Sequence, residues 1–164
     1  MNPYVSIIIP AYNEEGKIKD TLLGIVNINE INEIIVVDDG SSDKTTEVAK
    51  SVESEKIKVF KLEKNRGKGY ALNYGLDIAM KNADIIGFLD GDLGSSSSET
   101  IKLIEPVINN EVDVTIAKFP PAKKKGGMGF VKRLAKESVF EMTGVELDAT
   151  ISGQRIFKKE GCNR

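Results

Sequence analysis

The chain has 164 residues, of which 40% are hydrophobic and 29% are charged, and its formal net charge is −2. This length and composition suit one soluble domain with its own core, and the small net charge favours neither nucleic acid nor an anionic membrane. The chain has no histidine, which excludes histidine acid–base catalysis, Ser-His-Asp triads and histidine-ligated zinc. Any metal should therefore be a hard cation bound by oxygen.

The single cysteine, Cys162, excludes an internal disulfide framework and predicts a reducing, cytoplasmic environment. No apolar run approaches the roughly 20 residues that a membrane-spanning helix needs. The chain enters a strand pattern almost at once, so we expect no signal peptide.

Apolar periodicity predicts strands that alternate with helices as far as residue 118. The predicted strands are residues 5–9, 33–38, 57–62, 84–90 and 112–118. The predicted helices are residues 14–28, a segment capped by Ser42 or Asp43, residues 67–81, and a segment that Ser97 or Ser98 caps and Pro106 ends or kinks. This alternation predicts an α/β fold with an open, mostly parallel sheet and helices on both faces.

The segment that follows has a different composition. Residues 119–129 combine prolines, three lysines and glycines, which predicts a mobile loop that could order over an anionic ligand. A solvated basic surface is the plainer interpretation of such a lysine run. A helix over residues 130–142 and a last strand within residues 151–164 are expected after it.

Polar clusters follow three of the predicted strands. Ligands of open α/β sheets bind outside the carboxyl ends of the strands, so these clusters should share one edge of the sheet. They are Pro10-Ala11-Tyr12-Asn13-Glu14-Glu15, Asp38-Asp39-Gly40-Ser41-Ser42 and Asp90-Gly91-Asp92.

Asp90-Gly91-Asp92 carries the clearest chemistry. Two carboxylates on either side of a glycine can converge on one cation, which can bridge to a diphosphate and neutralise charge on a departing nucleotide. A simple turn after a strand would use the same residues. The wholly apolar strand before them and the acidic clusters nearby favour the cation site.

Two further clusters allow a functional and a structural interpretation. Asp38 and Asp39 would repel one another unless one has a partner, and a nucleobase N–H is one such partner, although a turn with a helix cap would also suit them. Asn65-Arg66-Gly67-Lys68-Gly69 precedes a predicted helix and offers N–H groups and positive charge to phosphate, but it lacks the ending of a Walker loop. Its plainer interpretation is a helix start with solvated lysines.

Together these motifs resemble the family-2 glycosyltransferases with the GT-A type fold. The resemblance covers roughly residues 4–118, and it is carried by four blocks in order: the runs that begin at Val5, Ile35, Asn65 and Leu89. It implies that Pro10, Tyr12 and Glu14 line the nucleoside pocket, that Asp39 contacts the base and Asp38 supports the strand end, and that Lys68 lies near the base or phosphates. It also implies that Asp90 and Asp92 bind ribose and the Mg²⁺ or Mn²⁺ that carries the diphosphate.

A later block, Ser152-Gly153-Gln154-Arg155, resembles one in polyprenyl-phosphate sugar synthases and glucosyl-phosphoglycerate synthases. The resemblance implies that Gln154 and Arg155 meet the acceptor or the phosphates. Asp148 lies near where polyprenyl-phosphate synthases carry an acidic residue and is a further candidate catalytic residue. Related enzymes usually continue well past this block. We therefore expect residues 1–164 to form a single nucleotide-sugar-binding domain that is short on its acceptor side.

The resulting hypothesis is a metal-dependent glycosyltransferase that takes sugar from a UDP- or GDP-sugar. Asp92, Asp148 and Arg155 are its candidate catalytic residues, and the acceptor is a polyprenyl phosphate or another phosphorylated molecule, with peripheral contact at the cytoplasmic face of a membrane. The alternatives are a binding protein without turnover and, from another class, a receiver-like signalling domain. A dinucleotide-binding Rossmann domain is disfavoured because no Gly-x-Gly-x-x-Gly follows the first strand.

Overall fold

The computed structural model describes residues 2–117 and 153–162. The predicted mobile loop at residues 119–129, the helix at residues 130–142 and Asp148 lie outside the described residues.

Within the described residues, strands and helices alternate up to the fourth helix. The strands are β1 (Val5–Ala11), β2 (Glu33–Asp38), β3 (Ile57–Lys61), β4 (Ile85–Phe88), β5 (Val114–Ile116) and β6 (Arg155–Lys158). The helices are α1 (Ile18–Val26), α2 (Thr45–Lys50), α3 (Lys68–Ala79) and α4 (Ile101–Ile108), with 3-10 helices at Gly94–Thr100 and Lys159–Cys162.

The strands form one mixed sheet in the order β3-β2-β1-β4-β6-β5. β1 pairs in parallel with β2 and β4, and β2 pairs in parallel with β3. β6 runs antiparallel between β4 and β5, with Arg155 opposite both Phe88 and Ile116. The predicted open, mostly parallel sheet is therefore confirmed, and β6 is its antiparallel member.

Helices cover both faces of this sheet because successive residues of a strand point to opposite sides. Ile7 and Ile9 of β1 join the core beneath α1, α2 and α4. Ile8, between them, joins the second core with Ala71 and Ala79 of α3. Such two-sided burial explains why β1 and β2 are continuous apolar runs rather than alternating ones.

The predicted helix caps are only partly correct. α2 begins at Thr45, and Asp43 accepts hydrogen bonds from the N–H and the hydroxyl of that residue from just outside the helix. Neither Ser97 nor Ser98 caps α4, because both lie within the 3-10 helix that precedes it. Ser97 is buried and is used in a tertiary contact instead.

Candidate functional site

The three polar clusters meet at one edge of the sheet, at the carboxyl ends of β1, β2 and β4. Ala11 pairs with Asp38 in the parallel register of β1 and β2. The N–H of Asp39 then donates to the carbonyl of Ala11 at 2.8 Å, and on the other side of β1 the N–H of Leu89 donates to the carbonyl of Ile8 at 3.0 Å. The parallel register thus delivers all three clusters to the same rim.

The loops after β1 and β2 are joined by hydrogen bonds. The N–H of Asn13 donates to the hydroxyl of Ser41 at 2.9 Å, and the Asn13 side-chain oxygen accepts the N–H of Ser42 at 3.0 Å. Asn13 has a positive φ of 54°, a conformation that asparagine tolerates better than most residues. The N–H of Glu14 donates to the Thr45 hydroxyl at 2.8 Å, so the first turn of α2 also holds this loop.

Asp38 is fully buried and holds the end of β2. Its Oδ1 accepts the N–H of Ser41 at 2.8 Å, and its Oδ2 accepts the hydroxyl of Thr46. Both carboxylate oxygens are therefore engaged within the protein, which suits a residue that supports the strand end.

Asp39 joins the β2 loop to the basic turn before α3. Its two carboxylate oxygens accept the N–H groups of Arg66 at 2.8 Å and Gly67 at 2.7 Å. Gly40 has a φ of +71°, and a Cβ there would lie 2.6 Å from the carbonyl carbon of Lys64, so this close approach requires glycine. The backbone donors supply the partners that two adjacent carboxylates need. The predicted contact of Asp39 with a base stays a prediction.

Asp90 lies at the centre of the site. Its Oδ1 forms an ion pair with the ammonium of Lys68, at the start of α3. On another side, the backbone of Gly153 packs so closely that a Cβ there would lie 2.6 Å from Oδ1 and 2.8 Å from Oδ2 of Asp90. The segment leading into β6 therefore meets the acidic motif at Gly153.

Asp92 differs from Asp90 in its surroundings. Its side chain is exposed and makes no hydrogen bond to any of residues 2–117 or 153–162. The negative charge of Asp92 acts on Glu14. Partial burial, together with repulsion from Asp92, Asp43 and Asp90, raises the pKa of Glu14, and Lys17 offsets only part of this rise. The negative charges of Asp90 and Asp92 thus repel that of Glu14, and a bound cation would reduce this repulsion.

Arg155 brings positive charge from β6. It is half-buried, and its Nε is fully covered without a hydrogen-bond partner among the described residues. Burial lowers the pKa of Arg155, and the charge of Asp90 opposes that shift. Because a guanidinium stays protonated in proteins, Arg155 supplies a fixed cation next to the acidic motif. Gln154 is also buried, and its carbonyl accepts the N–H of Ala117 at 3.0 Å.

The proposed nucleoside residues of the first cluster lie at the same rim. Pro10 is a buried residue of β1 opposite Val37, whereas Tyr12 is 46% exposed. The structure therefore brings Pro10, Tyr12 and Glu14 to the rim that also carries Asp38, Asp39, Lys68, Asp90, Asp92, Gln154 and Arg155.

Two residues of the site were missed by sequence reasoning. Gly153 belongs to the Ser152-Gly153-Gln154-Arg155 block, but its sequence context assigns it no role, and none of the four motifs includes Thr21. Thr21 occupies a core position of α1 beside Ile18, Leu22 and Ile25. A hydroxyl among apolar residues at helical spacing is the sequence signal that could have identified it.

Among residues 2–117 and 153–162, no three acidic or thiol side chains converge into a cage that could hold a metal ion. In the same residues, no helix combines the length and apolar character needed to cross a bilayer.

Residues 6–157 match the family described as Glycosyl transferase family 2. The UDP-N-acetylglucosamine–dolichyl-phosphate N-acetylglucosaminyltransferase of Methanococcus voltae is 32% identical, over 94% of this chain and 69% of that protein. The dolichyl-phosphate beta-glucosyltransferase of Saccharomyces cerevisiae is 34% identical, over 68% of this chain and 36% of that protein.

Among solved structures, glucosyl-3-phosphoglycerate synthase from Mycobacterium tuberculosis, in complex with Mn²⁺, UDP-glucose and phosphoglyceric acid, superposes with a TM-score of 0.69 and 26% identity. The match covers 96% of this chain and 57% of that one, so the chain spans a little more than half the length of this structural relative. The predicted GT-A type fold is confirmed by this likeness. With the family match over residues 6–157, it shows that the chain belongs to the family-2 glycosyltransferases.

Proposed function

We propose that this chain binds a nucleoside-diphosphate sugar together with a divalent cation and transfers the sugar to a phosphorylated acceptor. The observation that carries the proposal is the position of Asp90-Gly91-Asp92. These residues follow β4 at the rim where the β1 and β2 loops meet, with one carboxylate exposed and the other beside Lys68 and Arg155.

The residues present fit a divalent cation. Mg²⁺ and Mn²⁺ prefer oxygen ligands, and in transferases such ions are held by one or two carboxylates plus substrate phosphates rather than by an all-protein cage. The exposed Asp92 and the partly exposed Asp90 are two such carboxylates. When bound, the cation would supply Lewis-acid stabilisation to the leaving diphosphate.

The cationic side chains of the site can stabilise negative charge on the phosphates of the sugar nucleotide. The Lys68 ammonium contacts Asp90, and Arg155 lies close enough for the charge of Asp90 to affect its pKa. Both side chains can pair with phosphate oxygens when a sugar nucleotide occupies the rim. Positive charge held beside the negative charge that develops on the leaving diphosphate lowers the activation barrier of transfer. The nucleoside would lie towards Pro10, Tyr12 and Glu14.

A phosphorylated acceptor suits this charge distribution. A phosphate oxygen is already a nucleophilic anion, so transfer to it needs no general base, whereas a hydroxyl acceptor would need a carboxylate to remove its proton. The named relatives act on dolichyl phosphate, and the structural relative was solved with phosphoglyceric acid. A polyprenyl phosphate and a soluble phosphorylated acceptor both present a phosphate to the cationic side chains, but transfer without a general base applies only where the phosphate oxygen itself attacks. Asp148, the cytoplasmic location and peripheral membrane contact stay predictions.

The proposal is tested by a thermal-shift panel of UDP, GDP and their sugar conjugates, each with Mn²⁺, with Mg²⁺ and with EDTA. We expect UDP compounds to raise the midpoint of unfolding in a cation-dependent way, and Asp92→Asn to abolish the cation-dependent part. Asp77→Asn is the matched control, because Asp77 is an exposed aspartate near the other end of α3. No stabilisation by any nucleotide would refute the proposal.

Turnover separates an enzyme from a binding protein that has lost activity. Release of UDP from UDP-glucose or UDP-N-acetylglucosamine would be followed with dolichyl phosphate and with phosphoglycerate as acceptors. Acceptor-dependent release that Arg155→Gln lowers would support transfer. Tight cation-dependent UDP binding without turnover on any acceptor would favour the binding-only alternative.

A further inference from the structure

Thr21 is a buried hydroxyl in the middle of α1. It is 0% exposed and lies between the core residues Ile18 and Ile25 on the buried face of the helix. A polar group buried at such a position is stable only when its hydrogen-bonding capacity is used.

The Thr21 hydroxyl forms its hydrogen bonds with the loop that contains Asp92. The Thr21 hydroxyl donates to the carbonyl of Gly91 at 2.9 Å and accepts the N–H of Gly94 at 2.8 Å. A weaker alternative acceptor for its single proton is the Lys17 carbonyl at 3.2 Å. The Thr21 carbonyl in addition accepts the hydroxyl of Ser97 at 2.8 Å.

These contacts fix the backbone on both sides of Asp92. Gly91 is held before it and Gly94 after it, and Gly94 has a φ of +58° that completes the tight turn. Gly91 is also backed by the carbonyl of Pro10, which would lie 3.3 Å from a Cβ at this position. The Asp92 carboxylate makes no hydrogen bond within the described residues. The backbone therefore fixes the direction of its Cα–Cβ bond, and that direction limits the positions that its rotamers can reach.

We propose that Thr21 is a positioning residue for the cation and diphosphate site: through Gly91 and Gly94 it preorganises the Asp92 carboxylate. This inference rests on the proposed function. Removing a group that holds a metal ligand in its orientation typically lowers metal affinity by about 10- to 100-fold. Thr21 acts on Asp92 through two backbone groups at once, so we expect an effect within that range.

The test measures UDP affinity by isothermal titration calorimetry with saturating Mn²⁺ and with EDTA, on the whole chain. Thr21→Val keeps the shape and removes the hydroxyl, whereas Thr21→Ser keeps the hydroxyl. Thr115→Val is the matched control, because the Thr115 hydroxyl also donates to a backbone carbonyl, at 2.7 Å, but to that of Leu103 in α4 and not to the loop that contains Asp92. Circular dichroism establishes that each variant is folded.

We expect Thr21→Val to weaken UDP binding about tenfold or more in Mn²⁺ and to leave the affinity in EDTA unchanged. Thr21→Ser should restore the Mn²⁺ effect, and Thr115→Val should not alter it. A folded Thr21→Val with wild-type affinity in Mn²⁺ would overturn the inference while the proposed function stands. An equal loss in Mn²⁺ and in EDTA, or no rescue by serine, would overturn it too, because the role would then be general packing.

If Thr21→Val does not fold, Thr21→Ala takes its place, since it also removes the hydroxyl that bonds to Gly91 and Gly94. The same cation-specific loss of about tenfold or more is then expected. Unchanged affinity would contradict the inference. A wild-type chain without Mn²⁺-dependent UDP binding would refute the proposed function and this inference with it.

Discussion

Replacing Gly153 with alanine tests whether the segment that leads into β6 determines the position of the Asp90 carboxylate. An added Cβ would lie 2.6 Å from Oδ1 and 2.8 Å from Oδ2 of Asp90, whereas ordinary contact begins at 3.4 Å. The nearer oxygen must therefore retreat by about 0.8 Å, the difference between 3.4 and 2.6 Å. A misplacement on the order of 1 Å at a reacting centre can cost about 100-fold.

The stability of Gly153→Ala should change little. The φ of Gly153 lies outside the left-handed region, so alanine restricts the unfolded chain and stabilises the fold by about 0.4–1 kcal/mol. Turning the Asp90 side chain off its preferred rotamer costs about 0.5–1.5 kcal/mol. The two effects nearly cancel, so we expect a change in unfolding free energy within about 1 kcal/mol.

Gly153→Ala should weaken UDP binding although it hardly changes the free energy of unfolding. We expect the Kd of UDP in Mn²⁺, measured by calorimetry, to rise at least about tenfold in Gly153→Ala, with a urea midpoint close to that of the wild type. Gly16→Ala is the control, since a Cβ at Gly16 would meet no atom within 4 Å. Wild-type affinity in a folded Gly153→Ala protein would show that Asp90 does not need its observed position.

Two further predictions concern stability. Gly75→Ala places a Cβ 2.5 Å from a methyl group of Ile8, so overpacking should lower the free energy of unfolding by about 1–3 kcal/mol in urea titrations; an unchanged midpoint would contradict this packing. Glu14 has a pKa raised by burial and by Asp92, so its folded state holds the proton more tightly than its unfolded state. The associated stability is present below the unfolded pKa of about 4.3 and is lost as pH rises through the folded pKa. Glu14→Gln should therefore be more stable than the wild type at pH 7, and this advantage should vanish near pH 4; an advantage that is equal at both pH values would refute the assignment.

Local patterns predicted the elements well and their ends less well. The apolar spacing of α1 predicts a helix over residues 14–28, yet the helix begins at Ile18, because Glu14 and Lys17 form a turn tied to the neighbouring loops. The caps proposed at Ser97 and Ser98 failed for a related reason. The Ser97 hydroxyl reaches the Thr21 carbonyl in another helix, a partner that local propensity cannot anticipate.

The placement of β6 shows the same limit at the level of topology. A strand was expected within residues 151–164, but nothing in its sequence specifies that it runs antiparallel between β4 and β5. That position is set by non-local packing, in which Phe157 meets Phe88 edge to face at 5.2 Å and Ile156 enters the core beneath α1. It is also what brings Gly153 and Arg155 to Asp90.

The sequence by itself determined the alternation of strands and helices, the rim of acidic clusters and the family. These follow from apolar periods of two and 3.6 residues and from short motifs whose members are neighbours in the chain. Only the tertiary structure decided the partner of each carboxylate. Asp39 bonds to N–H groups 27 and 28 residues away, and the turn of Asp92 is held by a hydroxyl 70 residues before Gly91. Such contacts exist only once the whole sheet and its helices have assembled, because a hydrogen bond depends on the distance and direction between its two groups and not on their separation along the chain.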